Sequence, residues 1–384
     1  MGGTARCNEK DCGAALHDGI GGMIHNQAQD SDEDLVMPRS QVDLPSLCFR
    51  LLRRLLWPLS RLYGLVISIR NHAYDIGILP TFSSRLPVVC VGNLTAGGSG
   101  KTPLVLALAN ELLVQGHRPV ILSRGYGGRF VGPHRVSVAD RADEVGDEPL
   151  LMARRGICPV VVARDRVAGA RCIESSIDAS VILLDDGLQH RRLARVCNIV
   201  TFFVGTDAAV DSIIEGALLP FGRFREDRDG GLRRAHIVGL CDRGGRCSAA
   251  RTEQVRGLIP ADIPVFSIGA SITKPTQQGA VLEDGRAVWL FCAIANPEGF
   301  VESVRSAGYA VAGVSYFPDH HRFCGEDLEE LEQHAELQGA ALVCTEKDWV
   351  KLPNRLQNGV WVVYLQVKIP FGVIEVVKRL VDGA

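Results

Sequence analysis

One stretch, PVVCVGNLTAGGSGKTP from Pro87 to Pro103, limits what this chain can fold into more than any other. Val88-Val89-Cys90-Val91 reads as a short buried strand, and the apolar periodicity from Leu104 to Leu113 reads as a helix. Between them lies a glycine-rich turn that ends in Lys101-Thr102. Strand, glycine loop, Lys-Thr and helix in that order make a phosphate cradle, a P-loop. Glycines let backbone N–H groups converge on phosphate oxygens, and the helix start adds the positive end of its dipole. On this reading Thr95, Ala96, Gly97, Gly98, Ser99, Gly100, Lys101 and Thr102 surround a triphosphate. Lys101 reaches the terminal phosphates and the Thr102 hydroxyl reaches Mg²⁺. The first glycine of the G-x-x-x-x-G-K-[ST] pattern falls on Thr95. An ordinary glycine turn is the alternative, and the ordered strand, loop and helix weigh against it.

The chain around this loop alternates strands and helices, which predicts an α/β fold with a mostly parallel sheet. Pro119–Leu122 reads as a strand and runs into Ser123-Arg124-Gly125-Tyr126-Gly127-Gly128. Arg124, in a glycine loop directly after a strand, is well placed to meet phosphate, because open α/β sheets bind ligands at strand C-terminal ends. DEVGDEP (143–149) precedes a helix; its acids suit a helix start, and Asp147 is also a candidate base. Val181–Leu184 is an apolar strand ending in Asp185-Asp186, so a carboxylate stands ready to hold Mg²⁺ opposite the loop hydroxyl. Further strands are expected at Pro159–Ala163, Ile199–Val204 and His236–Leu240. From Val265 the pattern changes to a second, smaller α/β unit, which includes the FPDHHR segment (317–322) and TEKD (345–348). The expected divisions are 1–43, 44–80, 81–268 and 269–384.

Residues 1–43 are acidic, lack apolar periodicity and read as a disordered tail, with Met23 and Met37 as alternative starts. Leu44–Arg70 differs in kind: leucines and aromatics alternate with Arg50, Arg53, Arg54, Arg61 and Arg70. Those arginines recur too often for a bilayer-spanning helix. The segment reads equally as a basic amphipathic helix in a membrane interface, anchored by Trp57 and Tyr63, or as a helix packed on the core. Pro58 is expected to break or kink it. A net charge of −2 with few aromatics gives no sign of nucleic-acid binding. The twelve scattered cysteines form no CxxC pair, which suits buried thiols of a reducing compartment rather than zinc or disulfides.

Taken together, the ordered strings VGNLTAGGSGKTP (91–103), SRGYGG (123–128), GDEP (146–149), DDGLQH (185–190), LLP with RE (218–226), ANPEGF (295–300), FPDHHRF (317–323) and TEKDWVKL (345–352) resemble the tetraacyldisaccharide 4'-kinases of lipid A biosynthesis. The resemblance spans roughly residues 45–370. It implies a P-loop kinase core with a smaller C-terminal α/β domain and a cleft between them. The implied reaction is ATP- and Mg²⁺-dependent phosphorylation of the 4'-hydroxyl of a lipid disaccharide 1-phosphate, at the cytosolic face of the inner membrane. It favours the membrane reading of the N-terminal segment. It also implies Asp147 as general base assisted by His320, with Thr102, Asp185, Asp186 and Glu226 about Mg²⁺ and Arg124 near phosphate. The family's LPAGPLRE loop reads LPFGRFRE here, keeping Arg225 and Glu226, and Ala293 replaces a glycine. Two other classes compete. A membrane-associated regulatory ATPase wants a signature lysine where Ala96 stands, and a GTPase wants an N-K-x-D string that the core lacks.

Overall fold

A computed structural model describes residues 44–98, 100–242, 247–294, 296–319 and 321–384. The expected disordered tail (1–43), Ser99 and His320 lie outside the described residues. Eight strands are met first: β1 (Val88–Gly92), β2 (Pro119–Ser123), β3 (His134–Arg135), β4 (Val160–Val162), β5 (Val181–Asp185), β6 (Cys197–Phe203), β7 (Ile237–Asp242) and β8 (Val265–Ile272). A second group follows: β9 (Thr276–Gln277), β10 (Ala280–Val281), β11 (Ala287–Cys292), β12 (Ala310–Tyr316), β13 (Ala341–Thr345) and β14 (Trp361–Val363). The last strand is β15 (Leu365–Lys368).

The larger sheet has the order β15-β8-β7-β6-β1-β5-β2-β4-β3, parallel except at its two edges, where β3 and β15 run antiparallel to their neighbours. Alternate residues of β1 serve different cores: Val89 and Val91 join one, Val88 and Cys90 the other. Helices cover both faces, as a parallel sheet requires. The smaller sheet, β10-β9-β14-β13-β11-β12, is parallel at β12-β11-β13-β14 and antiparallel at β9 and β10.

The expected boundary at 268/269 needs correction. β8 continues to Ile272, and the chain returns after β14 to add β15 beside it, pairing Leu365–Lys368 with Gly269–Ile272. The helix Phe371–Asp382 then buries Val373, Ile374, Val377 and Val381 in the core of the larger sheet, with Leu104, Leu108 and Leu112 of the helix Lys101–Val114. Side chains at this spacing share one helix face. Burying each contributes about 1.5–3 kcal/mol, so the segment 365–382 belongs to the first unit. Where the units meet, Arg155 grips Glu346 with two guanidinium bonds of 2.5 and 2.9 Å and lies over the Tyr364 ring.

The helix Leu44–Asp75 runs unbroken through Pro58, contrary to the expected break. An interior proline loses its backbone donor and crowds the carbonyl one turn earlier, a local cost that does not end a helix of this length. Its outer face is apolar: Leu62, Leu65, Val66 and Ile69, spaced i, i+3, i+4, i+7, are each more than half exposed. The polar side faces inward. Ser60 donates to the Leu218 carbonyl (2.9 Å), Tyr63 to the Arg225 carbonyl (2.6 Å) and Asn71 to the Glu226 carboxylate (2.8 Å). Gly64 permits this approach, since a Cβ there would lie 2.5 Å from Leu218. The helix therefore reverses the usual amphipathic arrangement.

Candidate active site

β1 ends at Gly92 and the chain crosses Asn93 to Gly98 before entering the helix at Lys101. The segment 218–226 lies along this loop like an extra strand. Ala96 N–H donates to the Arg223 carbonyl, Arg225 N–H to that of Leu94, and Thr95 bridges Phe224. Gln189 of DDGLQH pins the loop base by donating to the Asn93 carbonyl at 3.0 Å.

β1 and β5 are adjacent, which brings Asp185 and Asp186 against the glycine loop. Lys101 Nζ stands 3.6 Å from Asp186, and Arg225 donates to both Asp186 oxygens at 3.0 and 3.1 Å. Burial works against the Asp186 charge, yet these two cations overcome it and hold the carboxyl below its usual range. Asp185 is in the opposite condition. It is 2% exposed, Ser123 donates to Oδ2 at 3.2 Å, and Oδ1 has no hydrogen-bond partner among the described residues. Burial, then the negative charges of Glu148 and Asp186, raise its pKa to about 7.

That displacement has a definite sign. Unfolded, Asp185 titrates near 3.8. Because the folded value is higher, the folded state holds the extra proton between those limits. Its stability contribution is complete below about pH 4 and is lost as pH rises through about 7. Replacing Asp185 with Asn should flatten this slope and, without Mg²⁺ or nucleotide, stabilise the protein at pH 8 by roughly 2–4 kcal/mol. Urea midpoints at pH 5 and pH 8 measure it; a variant weaker than the parent at pH 8 contradicts the burial account.

The loop carrying Arg124 and the helix start carrying Asp147 interlock through two glycines. A Cβ on Gly128 would lie 2.6 Å from the Glu144 carbonyl, and one on Gly146, whose φ is +97°, 2.6 Å from that of Tyr126. Only glycine fits so close a backbone crossing. Asp147 begins the helix Asp147–Arg155 half-buried, and Arg124 is exposed. Glu148, the next residue, accepts from the Thr102 hydroxyl at 3.2 Å. Sequence reasoning passed over Glu148; the second acid of GDEP was its signal.

Glu226 also serves as an anchor. It is 1% exposed, and its carboxylate accepts from Asn71 (2.8 Å), Gln189 (3.1 Å) and Arg234 (2.5 Å). The three donors fasten the helix 44–75 to the site loop and leave one lone-pair position on Oε1. His321 is likewise committed, contacting Asp327 at 3.0 Å and stacking on Phe317. Among the described residues no group of three or more His, Cys, Asp or Glu forms a ready metal cage.

A lysine at a helix start beneath a glycine loop, facing paired strand-end acids, defines the class: an enzyme of phosphoryl transfer. Comparison with known proteins narrows it. Residues 52–382 match the family model of the tetraacyldisaccharide-1-phosphate 4'-kinases. The tetraacyldisaccharide 4'-kinase of Methylobacterium nodulans is 42% identical over 301 residues, 78% of this chain and 83% of its own. That of Chlorobaculum tepidum is 34% identical over 346 residues, 85% and 97%. The crystal structure of Aquifex aeolicus LpxK in complex with ATP superposes with a TM-score of 0.69 at 29% identity, covering 86% of this chain and 99% of that one. The chain belongs to the tetraacyldisaccharide 4'-kinase family, enzymes of lipid A biosynthesis.

Proposed function

We propose that this chain performs its family's reaction at the cytoplasmic face of a membrane, with its N-terminal helix lying in the lipid interface. The loop 95–102 acts as a P-loop that cradles the triphosphate of ATP. Lys101 and Arg124 meet the charge of the phosphates. Asp147 accepts the proton of the sugar 4'-hydroxyl, with His320 in the assisting role that the resemblance implies. Mg²⁺ is a hard cation that takes oxygen ligands. The Thr102 hydroxyl, the free Asp185 oxygen and Glu148 form a fitting donor set, with Asp186 beside them. When bound, the metal would neutralise phosphate charge.

The observation that carries this reading is the coupling of the helix 44–75 to the site. The hydrogen bonds Tyr63–Arg225 and Asn71–Glu226 join an outwardly apolar helix to the loop lying along the P-loop. A lipid-facing element is thereby fixed beside the phosphate-facing one. Among the described residues no helix is long and apolar enough to cross a membrane. An exposed apolar stripe of this kind suits a helix lying in the interface.

The test is transfer of label from γ-labelled ATP to a detergent-solubilised tetraacyl disaccharide 1-phosphate, alongside sedimentation with anionic vesicles. Labelled lipid formed only with Mg²⁺ is expected, with vesicle binding that Leu62→Glu and Val66→Glu reduce. ATP hydrolysis indifferent to the lipid, with no labelled product, would overturn the acceptor assignment and favour the regulatory ATPase. Failure to sediment would overturn the interfacial helix alone.

A further inference from the structure

Arg223 stands out beside the glycine loop. Its backbone carbonyl accepts from Ala96 N–H at 2.7 Å, so the residue is attached to the loop. Its guanidinium occupies the space left by the missing side chain of Gly97: a Cβ built there would lie 2.8 Å from the nearer terminal nitrogen. Thr95, Gly98, Phe203 and Ser212 share the same small hollow. Arg223 is exposed and forms no ion pair with the described residues, whereas Arg225, two positions on, is engaged with Asp186.

We propose that Arg223 is a catalytic arginine supplied in cis, donating to the γ-phosphate oxygens of the bound nucleoside triphosphate as charge builds during transfer. The inference rests on the P-loop reading above. Three observations converge on it: a cation without a carboxylate partner among the described residues, a glycine that admits it, and a backbone bond that keeps it with the loop. In the step, the bond from the β,γ-bridging oxygen to γ-phosphorus breaks while the bond from the sugar oxygen forms. The sugar proton passes to Asp147, and Arg223 moves no proton. A guanidinium keeps its charge throughout and presents forked donors to phosphate oxygens. Arginines in this role in other phosphoryl-transfer enzymes accelerate turnover about 10³–10⁵-fold.

The experiment compares the full chain with Arg223→Ala, Arg223→Lys and Lys101→Ala, reading kcat, the KM for ATP, and affinity for ADP with and without aluminium fluoride, a mimic of the transferring phosphoryl group. Arg223→Ala should lower kcat at least about 10²-fold. It should change KM and ADP affinity less than about threefold, and abolish the tightening that aluminium fluoride gives. Arg223→Lys should recover part of kcat. Unchanged kcat in Arg223→Ala, or equal losses of ADP and ADP–fluoride affinity, would overturn the proposal; the latter would assign Arg223 to the base or inner phosphates. Lys101→Ala separates the two readings. If it leaves nucleotide binding intact, the P-loop reading itself has failed; if it weakens binding while Arg223→Ala changes nothing, only the Arg223 role falls.

Discussion

Asp147→Asn should leave a folded, ATP-binding protein that turns over about 10²–10⁴-fold more slowly, the range a positioned general base contributes. The change is isosteric, and the backbone that presents the residue is fixed independently of its carboxylate by the crossing of Gly128 and Gly146. The half-buried side chain sits at the first position of its helix, where loss of one negative charge costs about 0.3–1 kcal/mol. Stability and ATP affinity should therefore stay near those of the parent while kcat collapses. Initial rates with saturating glycolipid, together with a separate ATP titration, distinguish the two. A variant with near-normal kcat would remove Asp147 from the chemistry and direct attention to Glu148, one residue on and already within reach of Thr102.

Lys101→Ala is the second large effect, and its signature differs. Lys101 shares Asp186 with Arg225, so in this structure the site's acidic and basic groups offset one another. Removing the ammonium takes away both a phosphate ligand and part of the field that keeps Asp186 ionised. Nucleotide affinity and kcat should fall together, with turnover down by about 10³ or more, comparable with loss of a preorganised charge-stabilising group. The fold should survive, because Arg225 continues to hold Asp186 through both oxygens. Binding of ATP measured calorimetrically checks the first part and labelled-lipid formation the second. Undiminished ATP binding would contradict the phosphate-cradle role.

Much of the larger sheet could be read from local patterns. β1, β2 and β5 stand where the apolar runs predicted them, since strands buried on both faces are written as continuous hydrophobic stretches. Asp185 and Asp186 were legible for the same reason, as the polar stop of such a run. What escaped depends on pairing across long separations. Nothing near residue 365 announces that β15 will lie against β8, because an edge strand of four residues carries almost no periodic signal of its own. The anchoring of Glu226 escaped similarly: its donors arrive from residues 71, 189 and 234, and only their convergence reveals that it ties the helix 44–75 to the site. The outward apolar face of the helix 44–75 was open between two readings because hydrophobic periodicity specifies a stripe and not the direction in which it points.

The pairing of β15 with β8 also orders events at the ribosome. The strands that carry the glycine loop and both site carboxylates are synthesised early, yet one edge of their sheet and the helix 371–382 that covers part of its core come only after the second unit is complete. Until then the apolar faces of β1 and the helix 101–114 lack part of their cover, the condition in which nascent chains recruit chaperones. The second unit, bounded by the neighbouring strands β8 and β15, meets the first through Val350 and the Arg155–Glu346 pair. The nucleotide site should thus mature only after the C-terminal helix has been made, although its own residues are synthesised early.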